Sequence, residues 1–216
     1  MRSPGLRRRL TDPLWHNDTV PYRNSTAGHA LFPPEVILLS VTRVVRQATT
    51  DDIWAVHATA RQSWHAAYDD LLGADRVDDI VDEWYAIGDL ESSISDASGR
   101  ADIAFLVAEG ADAAGDGFAD DCYGFAQVVP WPEDTTVGYL TRLYVRPDVW
   151  GEGVGTALLE RLEADLDDTF ERLRLAVLVD NERGISFYEA AGFEHVATRE
   201  TDLADGLEER VYEKSL

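Results

Sequence analysis

Three glycines at alternate positions stand where a strand-like segment gives way to a helix-like one. Gly151, Gly153 and Gly155 follow the apolar stretch that ends at Val145 and precede a leucine-rich segment. A helix that begins just after a strand leaves backbone N–H groups free at the positive end of its dipole. Glycine lets such a backbone adopt positive φ and approach a phosphate closely. The spacing therefore predicts a backbone cradle for a phosphate or pyrophosphate group.

Two common phosphate-binding loops do not fit this stretch. A Walker-type loop needs Gly-Lys-Ser/Thr, whereas the only lysine of the chain is Lys214. The dinucleotide fingerprint is G-x-G-x-x-G close behind its strand, whereas this chain has G-x-G-x-G after the intervening Pro147. On the glycines alone, a purely structural role as a flexible loop and helix start stays open.

The charge of the chain restricts its partners. The formal net charge is −22 at pH 7, from 41 acidic and 19 basic residues. This charge argues against nucleic acid or an anionic membrane as a partner. The acid-rich, lysine-poor composition predicts a halophilic protein, because at ~1 M salt the screening length falls to about 3 Å. No apolar stretch reaches the ~18 residues of a membrane span, and no secretion signal follows the arginine-rich start, so a cytoplasmic location is expected.

The single cysteine and the histidines give weak signals. Cys122 allows no disulfide within the chain and is either a nucleophile or, in the preferred interpretation, a small packing residue beside a strand. His57, His65 and His195 have no partners at metal-ligand spacing, so we predict no metal site.

The chain changes character near residue 42. Residues 1–42 hold five of the eight prolines and show little periodicity, which predicts a disordered extension. A misassigned start of the reading frame also stays open, so these residues need not belong to the native protein. Residues 43–216 have the regular apolar pattern of a folded domain.

The pattern of residues 43–216 predicts an α/β fold, or mixed α+β, built on one mixed sheet. Six to seven mostly antiparallel strands, flanked by about four helices, would include one right-handed βαβ unit. An acidic, glycine-rich hairpin loop is expected at 114–121. The predicted strands are 42–48, 103–109, 122–131, 137–145, 172–179, 193–200 and 208–214, and the predicted helices are one capped by Thr50, then 74–86, 153–168 and 181–191.

Two separated motifs resemble the core signature of the GNAT superfamily of N-acetyltransferases. "RLYVRPDVWGEGVGTALLERLEADL" is similar to the family's acetyl-CoA motif, with Gly153 and Gly155 at its two fixed small positions. Trp150 departs from that motif, because the family usually has Gln or Arg there, and its role stays open. "SWHAAY" in the first helix is also typical of one branch. The second motif, N-x5-F-Y-E-x2-G-F, is matched by Asn181, Phe187, Tyr188, Glu189, Gly192 and Phe193.

The resemblance implies that acetyl-CoA is the co-substrate and lies between two diverging parallel strands, which end at Val145 and Val179. Tyr188 would act as the general acid for the departing CoA thiolate, the preferred interpretation, or would be a packing aromatic on an apolar helix face. Asn181 would cap the short helix and also touch the cofactor arm. The pantetheine arm would pair with the backbone of Leu143, Tyr144 and Val145. The pyrophosphate would be held by the amides of Gly151, Glu152, Gly153, Val154, Gly155 and Thr156.

The resemblance also implies direct acetyl transfer to a primary amine of a small molecule or to a protein amino group. Two alternatives stay open: a catalytically weak acyl-CoA-binding regulatory module, and a nucleotide-phosphate site unrelated to CoA.

The general base is open as well. Tyr139 stands where many relatives have Glu. Glu133 and Asp134 either reach the acceptor site, directly or through water, or, in the preferred interpretation, are solvated loop carboxylates. A homodimer is one option for the assembly. Four aromatic residues either wall an acceptor pocket or, in the preferred interpretation, belong to the core: Trp64, Tyr68, Trp84 and Tyr85.

Overall fold

A computed structural model describes residues 43–110, 122–201, 203–204 and 206–216. They all lie in the compact unit Ser40–Leu216. The predicted extension at 1–42 and the predicted loop at 114–121 fall outside the described residues. Among the helices that the structure describes, none is both long and apolar enough to cross a membrane.

Seven strands and five α-helices make up the described part of the chain. The helices are α1 (Ile53–Leu72), α2 (Ala74–Trp84), α3 (Ile87–Ala97), α4 (Val154–Leu166) and α5 (Glu182–Ala190). The strands are β1 (Arg43–Gln47), β2 (Ala104–Gly110), β3 (Cys122–Trp131), β4 (Asp134–Val145), β5 (Arg172–Leu178), β6 (Glu194–Glu200) and β7 (Glu208–Ser215).

All seven strands form one mixed sheet in the order β1-β2-β3-β4-β5-β7-β6. Among the described strands, β4 and β5 alone pair in parallel, and the remaining neighbours are antiparallel. The helix α4 connects the parallel pair, as the predicted βαβ unit requires. The mixed, mostly antiparallel α/β sheet predicted from the sequence is confirmed.

The parallel pair β4–β5 is short, and beyond it the two strands separate. Only residues 137–139 of β4 pair with residues 172–174 of β5. A bulge at Thr141 bends β4, because Leu140 pairs with Val128 and Arg142 with Gln127. After the bulge, β4 keeps β3 as its neighbour while β5 stays paired with β7. A gap therefore opens in the sheet towards the carboxyl ends of both strands.

Helices cover both faces of the sheet, and the alternation of side chains along the strands divides the core into two clusters. On β2, Phe105 and Val107 pack in the cluster under α1, α2 and α3. Leu106 and Ala108 point the other way, into the cluster under α4. The gap between β4 and β5 thus lies between two packed layers whose rigidity fixes its walls.

Three details differ from the sequence predictions. The helix α3 was not predicted, because Gly88 and three serines obscure the repeat of its buried Leu90, Ile94 and Ala97. The predicted cap at Thr50 is wrong by one residue. Thr49 is the cap, since Asp52 accepts its backbone N–H at 2.7 Å and holds the first turn in 3-10 form. The strand β4 begins at Asp134, three residues before the predicted start.

Candidate functional site

The glycine loop between β4 and α4 uses its three glycines for two different reasons. Gly151 and Gly153 have φ values of 79° and 85°, and Gly153 is the N-cap of α4. A Cβ at either position would meet no atom within 4 Å, so this backbone faces open space. At Gly155 a Cβ would lie 3.3 Å from the Phe187 ring. Gly155 therefore permits close packing of α4 on α5, whereas the other two shape an open turn.

Free backbone donors line the start of α4. The first hydrogen bond of that helix runs from the Ala157 N–H to the Gly153 carbonyl at 3.0 Å. Within the described residues, no backbone carbonyl accepts the N–H of Gly151 or of residues 153–156. These donors lie at the positive end of the helix dipole and suit an anion. The N–H of Glu152 differs, because it donates to the Val149 carbonyl at 3.3 Å.

Glu152 instead anchors the glycine loop to the edge strand β1. The Arg43 guanidinium donates to the Glu152 carbonyl at 2.7 Å and forms an ion pair with its carboxylate. The same guanidinium lies over the Tyr123 ring, 5.7 Å from its centroid. Sequence reasoning missed Arg43, since it lies 109 positions from Glu152 and has no local signal.

Trp150 closes the end of β4 onto the glycine loop. Its indole Nε1 donates to the Val145 carbonyl at 2.7 Å. The Arg183 guanidinium of α5 stacks on the indole, 4.3 Å from the ring centroid. Trp150, which stands where the family motif usually has Gln or Arg, therefore holds the guanidinium of Arg183 beside the loop.

Backbone groups of β4 face the gap at alternate residues. Because the Arg146 N–H donates to Tyr123 of β3 at 2.9 Å, the N–H groups of Leu143 and Val145 point to the opposite side. Tyr144 uses its backbone to pair with β3. The Val145 carbonyl is already bonded by Trp150 and, at 2.9 Å, by the Ser63 hydroxyl. Leu143 thus offers both of its backbone groups to the gap and Val145 only its N–H.

Three tyrosines from different elements meet beside the gap: Tyr188 of α5, Tyr144 of β4 and Tyr68 of α1. Burial raises the pKa of Tyr188 well above its ordinary value, and the neighbouring Tyr144 and Tyr68 phenols raise it further. The phenol is therefore protonated at neutral pH. Within the described residues, no hydrogen bond to another side chain contributes to this pKa. The hydroxyl of Tyr188 is thus available to a ligand in the gap.

Asn181 caps α5, as predicted, and joins that helix to α1. Its Oδ1 accepts the Gly184 N–H at 2.8 Å, and its Nδ2 donates to the Tyr68 hydroxyl at 2.9 Å. Burial raises the pKa of Tyr68 above its usual range, so this phenol is also protonated. The link to Tyr68 could not be predicted, because Tyr68 lies 113 positions away.

Comparison with known families identifies the chain. Residues 64–193 match the model of the Acetyltransferase (GNAT) family, and the match includes the glycine loop, Asn181 and Tyr188. It covers more than half of the chain. The chain belongs to the GNAT acetyltransferase family. This GNAT acetyltransferase is accordingly an acyltransferase, and its acetyl donor is acetyl-CoA.

Relatives and solved structures agree with the family. The GNAT acetyltransferase is 28% identical over 171 residues to spermidine N(1)-acetyltransferase of Thermoplasma acidophilum, a match over 78% of this chain and 97% of that protein. It is 36% identical over 63 residues to thialysine N-epsilon-acetyltransferase of Bos taurus, which is 29% of this chain and 37% of the relative. The crystal structure of PaiA N-acetyltransferase from Thermoplasma acidophilum in complex with coenzyme A superimposes with a TM-score of 0.67 at 25% identity, covering 81% of this chain and 99% of that one.

The other candidate residues of the GNAT acetyltransferase lie away from the gap. Asp134 stands at the closed end of the β4–β5 pair. Hydrogen bonds from Thr136, and then the charge of Arg172, hold the pKa of Asp134 below its ordinary value. Cys122 is only 5% exposed, and burial raises the pKa of its thiol to about 11, which suits a packing residue. The described residues include no group of three or more His, Cys, Asp or Glu that could hold a metal.

The four aromatic residues considered for the acceptor pocket divide into two groups. Trp64, Tyr68 and Tyr85 are buried, as the core interpretation predicts. Trp84 is 44% exposed and lines a cavity of about 530 Å³ between α2 and the strands β4, β6 and β7. We call this space the α2 cavity. Tyr139, which stands where many relatives have Glu, also lines it, and burial raises the pKa of this phenol.

Proposed function

We propose that this protein transfers the acetyl group of acetyl-CoA directly to a primary amine of a small molecule or to a protein amino group. The observation that carries the proposal is the gap between β4 and β5, because free N–H groups line one end of it and the Tyr188 hydroxyl lies beside it. The relatives are named for spermidine and thialysine, both small amines, and this favours a small-molecule acceptor.

The donor would be held chiefly by backbone groups. The N–H groups of Gly151 and of residues 153–156 would bind the diphosphate, because they are free and face open space. Arg183, stacked on Trp150, would add a positive charge at the edge of the loop. The Leu143 backbone and the Val145 N–H would pair with the pantetheine arm, as an added strand pairs with a sheet edge. This arrangement leads the thioester along β4 towards Tyr188.

The reaction then needs proton transfer at both the nitrogen and the sulfur. The acceptor ammonium loses one proton to solvent, and the lone pair of the neutral amine attacks the thioester carbonyl carbon. A C–N bond forms, the attached nitrogen releases a second proton to solvent, the C–S bond breaks, and CoA leaves as a thiolate. The Tyr188 hydroxyl donates a hydrogen bond and then its proton to that sulfur, and solvent returns a proton to Tyr188. The raised pKa of Tyr188 keeps the phenol in its acid form before this step.

A regulatory acyl-CoA-binding module would keep the glycine loop but would transfer the acetyl group only weakly. Membership of an acetyltransferase family and a Tyr188 hydroxyl left free beside the gap both favour the enzyme. The nucleotide alternative is disfavoured in the same way, because the matched family transfers acetyl groups from acetyl-CoA.

A thiol-release assay tests the proposal. Purified protein is mixed with acetyl-CoA and a panel of amines: spermidine, diamines, diamino acids and short peptides. We expect amine-dependent release of CoA and an acetylated product by mass spectrometry. Tyr188→Phe should lower kcat about 100-fold, the scale of general acid catalysis. The control Tyr123→Phe should not, because Tyr123 packs under Arg43 on the far side of β4. Binding of CoA with no acetylation of any amine would refute the enzyme.

A further inference from the structure

The α2 cavity lies on the same face of β4 as the tyrosine cluster. Tyr139 lines it, and Arg142 follows along the strand. The Arg142 guanidinium donates to the Trp84 carbonyl at 3.0 Å and lies 5.2 Å from the Tyr85 ring centroid. Tyr144, the next side chain on this face, stands beside Tyr188. Tyr139, Arg142 and Tyr144 therefore follow one another on a single face of β4, in the direction from the cavity to the proposed reaction centre.

Charges of both signs line the α2 cavity. Arg199 and Glu209 form a pair at 2.6 Å and neutralise one another. Arg76 donates to the Leu203 carbonyl at 3.3 Å, and no described carboxylate lies within ion-pair distance of it. Glu83 has no cationic partner among the described residues. The cavity thus presents one guanidinium and one carboxylate that have no oppositely charged partner in the described chain.

These two charges lie on one face of α2. Arg76 and Glu83 are seven residues, or two turns, apart, which is about 10 Å along the helix axis. Both side chains are long enough to converge on one ligand. Glu83 lies next to Trp84, at the end of the helix that contacts Arg142, and Arg76 lies at the far end. A purely cationic polyamine would satisfy Glu83 but would be repelled by Arg76.

We propose that the α2 cavity binds the acceptor, and that the acceptor is an amine that also carries a carboxylate, of the diamino-acid type. This inference rests on the proposed acetyl transfer. Arg76 pairs with the carboxylate in the bidentate geometry that guanidinium favours. Glu83 pairs with the α-ammonium group. The second amine extends past Arg142 towards Tyr144 and Tyr188, where it meets the thioester.

Matched substrate pairs test this assignment. Lysine and cadaverine differ only by a carboxylate, and so do ornithine and putrescine. We expect kcat/KM for each diamino acid to exceed that of its diamine by about tenfold or more, which is one charge-assisted pairing. Arg76→Gln should bring the ratio close to one. Arg100→Gln, which removes an exposed arginine paired with Asp102 before β2, is the control and should leave the ratio unaltered.

Two results would overturn the assignment: a diamine, spermidine or peptide preferred over the diamino acids, or an unchanged ratio in Arg76→Gln. Calorimetry with lysine and cadaverine in the absence of acetyl-CoA separates this failure from failure of acetyl transfer. Lysine that binds about tenfold tighter than cadaverine only when Arg76 is present supports the cavity even if no amine is acetylated. Equal binding of both compounds counts against the cavity whatever the turnover.

Discussion

The Asn181 side chain donates to the Tyr68 hydroxyl at 2.9 Å while it caps α5 through the Gly184 N–H at 2.8 Å. One amide therefore fixes the start of α5 against α1. Tyr188 lies two turns further along α5, so its position beside the gap depends on this contact. Tyr68 is thus a positioning residue, and it acts through Asn181 rather than on the substrate.

Removal of this contact should slow catalysis without unfolding the protein. Tyr68→Phe removes the acceptor, and Asn181→Ser removes the amide donor but keeps a side-chain oxygen that can cap α5. One hydrogen bond contributes about 1 kcal/mol, so we expect kcat to fall about fivefold in Tyr68→Phe. Asn181→Ser combined with Tyr68→Phe should cost little more than Asn181→Ser alone, because both act on one contact. Fully additive losses in steady-state kinetics would show that the two residues act independently.

The pH profile tests the protonation state of Tyr188. Because burial raises its pKa, the phenol is the acid form at every pH below that raised value. We therefore expect kcat to rise as the acceptor amine loses its proton and to show no alkaline decline up to about pH 10, the ordinary pKa of tyrosine. An alkaline decline near pH 9 that disappears in Tyr188→Phe would contradict this assignment.

The stability of the fold should depend on pH through Asp52. Burial alone would raise the pKa of this carboxyl, but hydrogen bonds from Arg46 at 2.8 and 2.9 Å and from the Thr49 backbone hold it below its ordinary value. Because the pKa of Asp52 is lower in the folded state than in the unfolded state, the charged carboxylate stabilises the fold at pH values above the unfolded pKa of about 3.9. This stabilisation is lost as the pH falls through the pKa of the folded state. In urea unfolding, Asp52→Asn should cost about 2 kcal/mol at pH 7 and less at pH 3. An equal loss at both pH values would count against the ion pair.

Salt should stabilise this protein if its composition reflects a halophilic origin. The formal net charge of −22 creates self-repulsion that salt screens. We expect Tm to rise by about 10 °C between 0.1 and 2 M KCl, which is about 3 kcal/mol for a domain of this size. Potassium chloride is preferred to sulfate, because sulfate strengthens apolar burial in any protein. A Tm that does not change with KCl concentration would contradict a halophilic origin.

The sequence was most informative where a local pattern carries the structure. Apolar segments bounded by turn residues predicted all seven strands, and the glycines with the N-x5-F-Y-E motif predicted the loop before α4 and the cap at Asn181. It failed at α3, whose Gly88 and serines are weak helix formers that tertiary packing overrides. The structure therefore has one helix more than the four predicted. That helix is α3, which has no clear apolar repeat.

The contacts that position the site could not be predicted, because they join distant segments. Arg43 reaches Glu152, Tyr68 reaches Asn181, and Arg183 stacks on Trp150 only after the sheet has formed. No periodicity encodes such side-chain pairs. Glu152 shows the same limit, since its N–H was predicted to bind pyrophosphate but donates within the loop.

The affinity of glycine variants for CoA tests most directly whether the loop before α4 binds the diphosphate. Gly153 and the control Gly73 both have positive φ, 85° and 84°, and no atom lies within 4 Å of a Cβ at either position, but their ψ values are 5° and 145°. Leucine at Gly153 should cost a left-handed strain of about 1–2 kcal/mol, and leucine at Gly73 at least as much, because side chains other than glycine rarely adopt that combination of φ and ψ. We predict by calorimetry that the Kd for CoA rises about tenfold or more in Gly153→Leu and hardly changes in Gly73→Leu. Equal Kd values for both variants would contradict a diphosphate site at this loop.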